Sequence, residues 1–506
     1  MSDVTQTPAT VETNAEAKPT QAEATQPKVS LHLNVSVAPP TVLRLSEVVA
    51  AMTYALDITE GQPEGHALRS CIIGMQVGEA LGLDAQALSD LYYALLLKDL
   101  GCSSNSAKIR YLFGANDFRV KRAFKMVDLD HLSQGTRFVL GNAGTAAPLT
   151  RRLKHVIDVS LGRGGGHAGL TQVRCERGAD IAKQMGFSDV TADAIRTLDE
   201  HWDGNGHPYG ISSEEIPLLG RVLCLAQTVE VFFRENGVDA VYKAVAARNG
   251  TWFDPEVVAA FKKVSKNEGF WESLEGDLEQ QVTGLEPADK RLQTNDAQLD
   301  RVAEAFGRVI DAKSPWTYRH SERVRQFALG AASQLAGEKA LSPSNIRRLS
   351  RAALLHDIGK LGVSNTVLDK PGKLTDEEFA SIRAHPAYSE QILTRVSAFK
   401  DLADIAGGHH ERMDGRGYHR ATPATTLAFE VRLLAVADQF EALTAKRPYR
   451  DGMTPEAAIE LIGRDKGDGV DPTALKALER FLETPEAAPL LVPQPLDPDV
   501  PIPEIE

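Results

Sequence analysis

The chain has no apolar run long enough to cross a membrane. Runs such as Leu95-Leu96-Leu97 and Ala352-Ala353-Leu354-Leu355 stop far short of the roughly 18 residues a span needs. Cysteine is scarce: the four residues, Cys71, Cys102, Cys175 and Cys224, show no paired or metal-type spacing, which excludes a disulfide framework and a cysteine-held zinc site. The opening Met-Ser-Asp-Val-Thr lacks the basic and apolar regions of a secretory signal, so a reducing cytoplasm is the expected compartment. Positive charge is not in excess either. Lys and Arg number 56 against 69 Asp and Glu, and the net charge of −13 argues against a general nucleic-acid coat. No long stretch alternates apolar and polar residues as a half-buried strand does.

What is present is globular and helical. At 506 residues, 42% hydrophobic and 25% charged, the chain has material for two domains of roughly 150–250 residues each. Apolar residues recur at three and four spacing, as in Val324, Phe327, Ala328, Ala331 and Leu335. Residues 1–38, rich in Ala, Thr, Glu, Gln and Pro, are expected to form a disordered tail, and the Pro-rich acidic run 484–506 a second one.

An internal repeat organises the rest. "YALLLKDLGCSSN" precedes "DGNGHPYGISSEEIPLLGRVLCLAQTVEVF" in the first half, and "AALLHDIGKLGVSN" precedes "DGRGYHRATPATTLAFEVRLLAVADQFEAL" in the second. Asp203 to Glu230 runs against Asp414 to Glu441 without a gap, and each copy later reaches an Asp-Pro that opens an apolar helix, Asp254-Pro255 and Asp471-Pro472. The expectation is an all-α protein of two tandem helical bundles, 41–265 and 296–483, joined by a linker at 266–295.

The second copy carries the chemistry. His320, His356, Asp357, His385, His409, His410 and Asp438 all fall on or beside expected helices. Neutral imidazole and carboxylate suit iron, manganese or zinc, and seven such groups can hold two ions if one carboxylate bridges them. Every histidine after residue 300 is in this set or, like His419, next to it.

The segments "YRHSERV", "LLHDIGKLGVSN", "LDKPGKLTDEEF", "HHERMDGRGY" and "LAVADQFEALTAKRPYR" resemble, in order, the signatures of the HD superfamily of metal-dependent phosphohydrolases, in its HD-GYP branch. The resemblance implies that His320, His356, Asp357 and Asp438 hold one metal and that Asp357 bridges to a second held by His385, His409 and His410. It implies two divalent transition metal ions, iron or manganese, and hydrolysis of cyclic di-GMP to the linear dinucleotide or GMP. Some members recruit a third metal with a glutamate four residues before the first histidine, where this chain has Trp316. Lys360 is expected beside the metals, neutralising a phosphate oxygen. Gly415, Gly417 and Tyr418 form the substrate loop, and Arg447 and Arg450 are candidate phosphate contacts. The family's proline after Tyr418 is replaced by His419, which leaves the ligands intact and opens the choice of substrate to another cyclic dinucleotide or nucleotide.

The first copy offers His66, Lys98, Asp99, Arg174, Leu198, Asp199 and Gln227 at the ligand positions, a set expected to hold no metal pair. It also carries an insertion, about 106–165, with Lys108, Arg110, Arg119, Lys121, Arg122, Lys125, Arg151, Arg152 and Lys154 among Tyr111, Phe113, Phe118 and Phe124. Such a run reads either as a solvated helix face or as a nucleotide-reading surface. Besides the cyclic dinucleotide, the expected partners are a second copy of the chain and diguanylate cyclases or adaptor proteins. An interaction module signalling through those contacts, with weak catalysis, is the alternative of a different class.

Overall fold

Apolar residues at three and four spacing build helices along the chain. In Asp296–Asp311 the buried set includes Val302, Ala303, Phe306, Val309 and Ile310, one stripe of an amphipathic helix. Polar caps fix where helices begin. Asn295 and Gln298 form a capping box there, as do Thr375 and Glu378 ahead of Asp376–Arg383. Both Asp-Pro pairs open helices as expected: the Asp254 carboxylate accepts from the Glu256 N–H and that of Asp471 from the Thr473 and Ala474 N–H groups.

The computed structural model describes residues 44–492 except 128–131, 145–148, 161–165, 289–293 and 449, together with residue 496. The expected tail at 1–38 lies outside the described residues, as do Tyr449 and the side chains of Arg151 and Lys154. The fold is all-α. Among the described residues there are no strands, only isolated bridges such as Arg447 with Arg450. No described helix is long and apolar enough to cross a membrane.

The two halves share one continuous apolar core. The first helix, Leu45–Glu60, packs on the 3-10 turn Ile358–Gly362 and on the helix His385–Arg395 of the second half. Beside that contact, buried Asp117 accepts from Ser364 Oγ at 2.7 Å and from the Asn365 N–H at 3.0 Å, and faces Lys313 Nζ at 3.6 Å. Burial lowers the Lys313 pKa to about 8, with Asp117 opposing. A small second core lies under the insertion helices, with Ile109, Leu112, Phe113, Val120, Phe138 and Leu170.

One set of contacts occurs twice. Asp57 accepts from the N–H groups of Gly65, His66 and Ala67, and Asp311 from that of Ser321, so a carboxylate anchors the start of the next helix each time. Arg69 then pairs with Glu230, and Arg323 with Glu441. Gly101 and Gly359 press on a neighbouring helix so closely that a Cβ would stand 1.8 Å from the Arg174 carbonyl oxygen and 2.0 Å from that of His385. Arg221 reaches Asp254 at 2.8 Å, and Arg432 reaches Asp471 at 2.9 Å.

Three segments are more ordered than their composition implies. The stretch 266–295 contains the helices Glu268–Glu272 and Leu278–Leu285, with Phe270, Leu274 and Val282 in the core, while buried Glu286 accepts from Ser46 and Tyr93. It is bundle rather than linker, because its few apolar residues fall at helical spacing and its charges find buried partners. The packed chain also runs past 484, since Ala487 is buried and the Leu490 carbonyl accepts from Arg323 at 2.9 Å. In the insertion, Lys121 and Lys125 turn inward, against a solvated face for those two residues.

Gly359→Ala is therefore expected to force the turn and the helix His385–Arg395 apart, at a cost of about 2–3 kcal/mol. A thermal melt followed by circular dichroism should show a midpoint several degrees lower. An unchanged midpoint would mean that the turn can swing clear.

Candidate metal centre

Each of the seven expected ligands sits at a helix boundary or on an inward helix face. His320 opens the helix His320–Ser333, and His356 ends Pro343–Leu355, with Asp357 beginning the turn that follows. His385 opens its helix ahead of Pro386, His409 and His410 follow the short helix Ala403–Gly407, and Asp438 lies within Phe429–Thr444. Helix ends bring these side chains together because the backbone turns there and releases them from the helix face.

Asp357 joins two clusters. Its Oδ2 lies 3.3 Å from His320 Nε2 and 3.4 Å from His356 Nε2, and Asp438 Oδ1 approaches the same two nitrogens at 3.3 and 3.6 Å. Its Oδ1 lies 3.2 Å from His385 Nε2 and 3.8 Å from His409 Nε2. His385, His409 and His410 form a second group whose donor atoms lie within 4.8 Å of one another.

The imidazoles are locked with Nε2 inward. Nδ1 of His356, His385 and His409 faces the carbonyl oxygen three residues earlier, of Ala353, Ile382 and Ala406, and Nδ1 of His320 faces Glu441. Those partners hold the proton on Nδ1 and leave Nε2 a lone pair. His385 Nε2 and His409 Nε2 then meet lone pair to lone pair at 3.1 Å, while His356 Nε2 and Asp357 Oδ1 are buried with no hydrogen-bond partner. Donors so placed fit cations between them.

The charges agree. Burial pushes His385, His409 and His410 below the usual imidazole range, His410 to about 3, so this cluster stays neutral. Burial opposes ionisation of Asp357 and Asp438, but the surrounding imidazoles, and Lys360 beside Asp357, hold both well below the usual carboxylate range. Burial also opposes a charge on His320, yet Glu441, Asp357 and Asp438 push its pKa up, which marks the first cluster as a place that attracts positive charge.

A sequence model of the HD domain matches residues 168–257 and 304–474. The 3'3'-cGAMP-specific phosphodiesterase 3 of Vibrio cholerae is 43% identical over 87% of this chain and 94% of its own length. The chain belongs to the HD domain family, in its HD-GYP branch. The crystal structure of the V. cholerae cyclic GMP-AMP specific phosphodiesterase V-cGAP3 superimposes with a TM-score of 0.58 and 39% identity, covering 87% of this chain and 98% of that one. The cyclic di-GMP phosphodiesterase response regulator RpfG of Xanthomonas campestris is 37% identical over 35% of this chain and 46% of its own.

The residues expected to form the substrate loop of this HD-GYP protein are placed less simply. Tyr418 stacks on His410 with ring centroids 4.6 Å apart, and the Arg383 guanidinium lies 4.9 Å from its ring, so Tyr418 walls the second cluster. Gly415 turns the loop at a φ of +71°, whereas a Cβ on Gly417 would stand 2.5 Å from the Glu411 Cα. The close approach at Gly417 is to the protein's own backbone. Arg447 donates to the Trp316 carbonyl at 3.2 Å and pairs with Glu441 at 3.3 Å, and Arg450 donates to the Leu443 carbonyl at 2.8 Å. Both guanidinium groups brace the end of the helix Phe429–Thr444. Lys360 Nζ donates to Asp357 Oδ2 and stays partly open to solvent.

Three supporting residues went unassigned by sequence reasoning. Glu441 orients His320, Ser389 donates to the His356 carbonyl and accepts from the Gly359 N–H, and Glu411 accepts from the N–H groups of Arg420 and Thr422 across the loop. The repeat held one signal: Glu230 and Glu441 stand at matched positions, and each faces its histidine.

In the first half, lysines take the central places. Lys98 pairs with Asp99 Oδ2 and lies 2.8 Å from His66 Nε2, while Lys125, from the insertion, lies 3.4 Å from Asp99 Oδ1 and 3.0 Å from Glu60. Arg174 pairs with Asp199. Glu60, Asp99 and Cys102 cluster as metal ligands do, but Lys121 and Lys125 already face Glu60, and burial keeps the Cys102 thiol protonated. One ammonium thus faces each oxygen of Asp99, where Asp357 has a histidine pair.

Lys98→Met should destabilise the protein by about 3 kcal/mol, because breaking a buried pair strands a charge. Denaturant unfolding with elemental analysis checks it: the midpoint is expected to fall while metal content per chain stays constant. Lost metal would place an ion in the first half.

Proposed function

We propose that the second half hydrolyses cyclic dinucleotides at a pair of transition metal ions, iron or manganese, with 3'3'-cyclic GMP-AMP preferred over cyclic di-GMP. The observation that carries this reading is Asp357, which turns one oxygen to each histidine cluster. His320, His356 and Asp438 with Asp357 Oδ2 would hold one ion, and His385, His409 and His410 with Asp357 Oδ1 the other. Bound there, two ions acidify a water and offset charge on the phosphoryl oxygens.

The chain's own groups do the remainder. Nδ1 anchoring fixes the imidazoles before substrate arrives, so little reorganisation accompanies reaction. Lys360, partly open beside Asp357, supplies an ammonium to a phosphoryl oxygen as negative charge develops. The first half, whose cation places are filled by Lys98 and Lys125, serves as a non-catalytic copy that supports the second.

The substrate order rests on two observations. The 43% identical relative, matched over nearly its full length, is named for 3'3'-cGAMP, whereas the similarity to RpfG covers about a third of this chain. The loop also departs from the family pattern at His419, which faces Glu390 and holds a φ of +96°.

Asp357→Ala should cut hydrolysis by at least about 100-fold and remove most bound metal, since it deletes the shared ligand. Turnover kept within about tenfold, by product chromatography, would sink the two-ion reading. With the wild-type protein, 3'3'-cyclic GMP-AMP should turn over at least about tenfold faster than cyclic di-GMP, a gap of about 1.4 kcal/mol in transition-state binding. Equal rates would refute the substrate order and leave the hydrolase reading standing.

A further inference from the structure

A cavity of about 620 Å³ lies between the halves, within the ~300–1,000 Å³ span of small-molecule sites. One wall is the helix Gly166–Gln184, with Arg177 and Ile181, and the other is built from Asp296–Asp311 and the start of His320–Ser333. It belongs to neither histidine cluster. Arg308, Arg319 and Arg325 project from the second wall, with Tyr318 beside them.

Their charges are not balanced alike. Arg325 is paired with Glu304 at 3.1 Å and Glu322 at 3.3 Å. Arg308 and Arg319 are exposed and make no side-chain hydrogen bond or ion pair among the described residues. Asp311, also on the wall, is occupied with the Ser321 N–H and hydroxyl. Arg319 also holds a φ of +58°, unfavourable for a residue with a Cβ, and the matched place in the first half is Gly65 at +86°. An arginine kept at a glycine-like position, facing a cavity without a counter-ion, is the kind of backbone outlier that points to a ligand.

We propose that this cavity is a second, non-catalytic site for a nucleotide, its phosphates on Arg308 and Arg319 and its base against Tyr318. Guanidinium groups grip phosphate oxygens two at a time. The Tyr318 ring has no aromatic partner among the described residues, and Ile181 and Leu354 add apolar wall. Glu304 and Glu322 can accept from ribose hydroxyls or base amino groups.

The test uses the full chain stripped with EDTA, so that the metal centre contributes nothing, and titrates GTP, ATP and inorganic phosphate by calorimetry. One equivalent of GTP or ATP per chain is expected. Arg308→Gln and Arg319→Gly should each weaken it about tenfold or more, the scale of a lost charge-assisted contact, and Asp357→Ala should leave it unchanged. Arg319→Gly suits the local backbone, so failure to fold does not confuse the result. Absence of saturable binding at millimolar nucleotide, wild-type affinity in both arginine variants, loss of binding in Asp357→Ala, or phosphate binding as tightly as nucleotide would each overturn the proposal.

Discussion

A buried carboxylate placed between two sets of imidazoles organises the second half. Asp357 is costly to bury, and its charge survives because His356, Lys360, His320 and His385 surround it. That arrangement requires the turn after Pro343–Leu355 to lie hard against the helix that begins with His385. Gly359 permits the approach, and Ser389 on that helix ties down the turn by accepting from the Gly359 N–H and donating to the His356 carbonyl. The position of one oxygen thus depends on a glycine two residues away and a serine on the next helix.

The first half meets the same constraint by other means. Asp99 is as buried as Asp357 and also needs a positive partner at each oxygen, and it takes them from Lys98 and Lys125. Covalently attached ammonium groups do there what imidazoles do around Asp357. The exchange fixes the charge permanently and gives up the open coordination positions that chemistry at a metal requires. It also explains the inward turn at the end of Asp117–Phe124: Lys125 reaches the cluster from the insertion, which is packed where it supplies that cation. The same insertion supplies Asp117, which grips Ser364 and Asn365 just beyond the Lys360 turn.

Local features were legible in the sequence and distant ones were not. Helices followed from apolar spacing, and the two Asp-Pro caps from residue type, because both depend on neighbours within a turn. The seven expected ligands come together because each lies in a short motif, six at a helix end and Asp438 on the inward face of Phe429–Thr444. Lys125 was visible only as one charge in a basic run, since nothing local says that it reaches Asp99, 26 residues before it. The stretch 266–295 looked like a linker because Phe270, Leu274 and Val282 are sparse, and what buries them is a surface formed earlier in the chain. The cavity between the halves has no sequence signature, because its walls come from four separate helices.

The loop after His410 shows how one substitution can hide a change of path. Replacing a proline reads in sequence as a gain of freedom at one angle. At His419 the backbone takes a φ of +96°, whereas proline is confined near −65°, so this loop could not hold the family's proline without being rebuilt. The first half keeps Pro208 at the matched position, and its loop there is tied by Tyr209 donating its N–H to Glu200. In the second half, Arg420 donates its N–H to Glu411, the counterpart of Glu200, while His419 and Arg420 reach across to Glu390 on the helix that begins with His385. The loop that walls the second cluster through Tyr418 is therefore latched to the helix that carries His385 of that cluster. A change at His419 acts on the shape of the site through that helix, which links the outer loop to the histidine cluster without any of its histidines being altered.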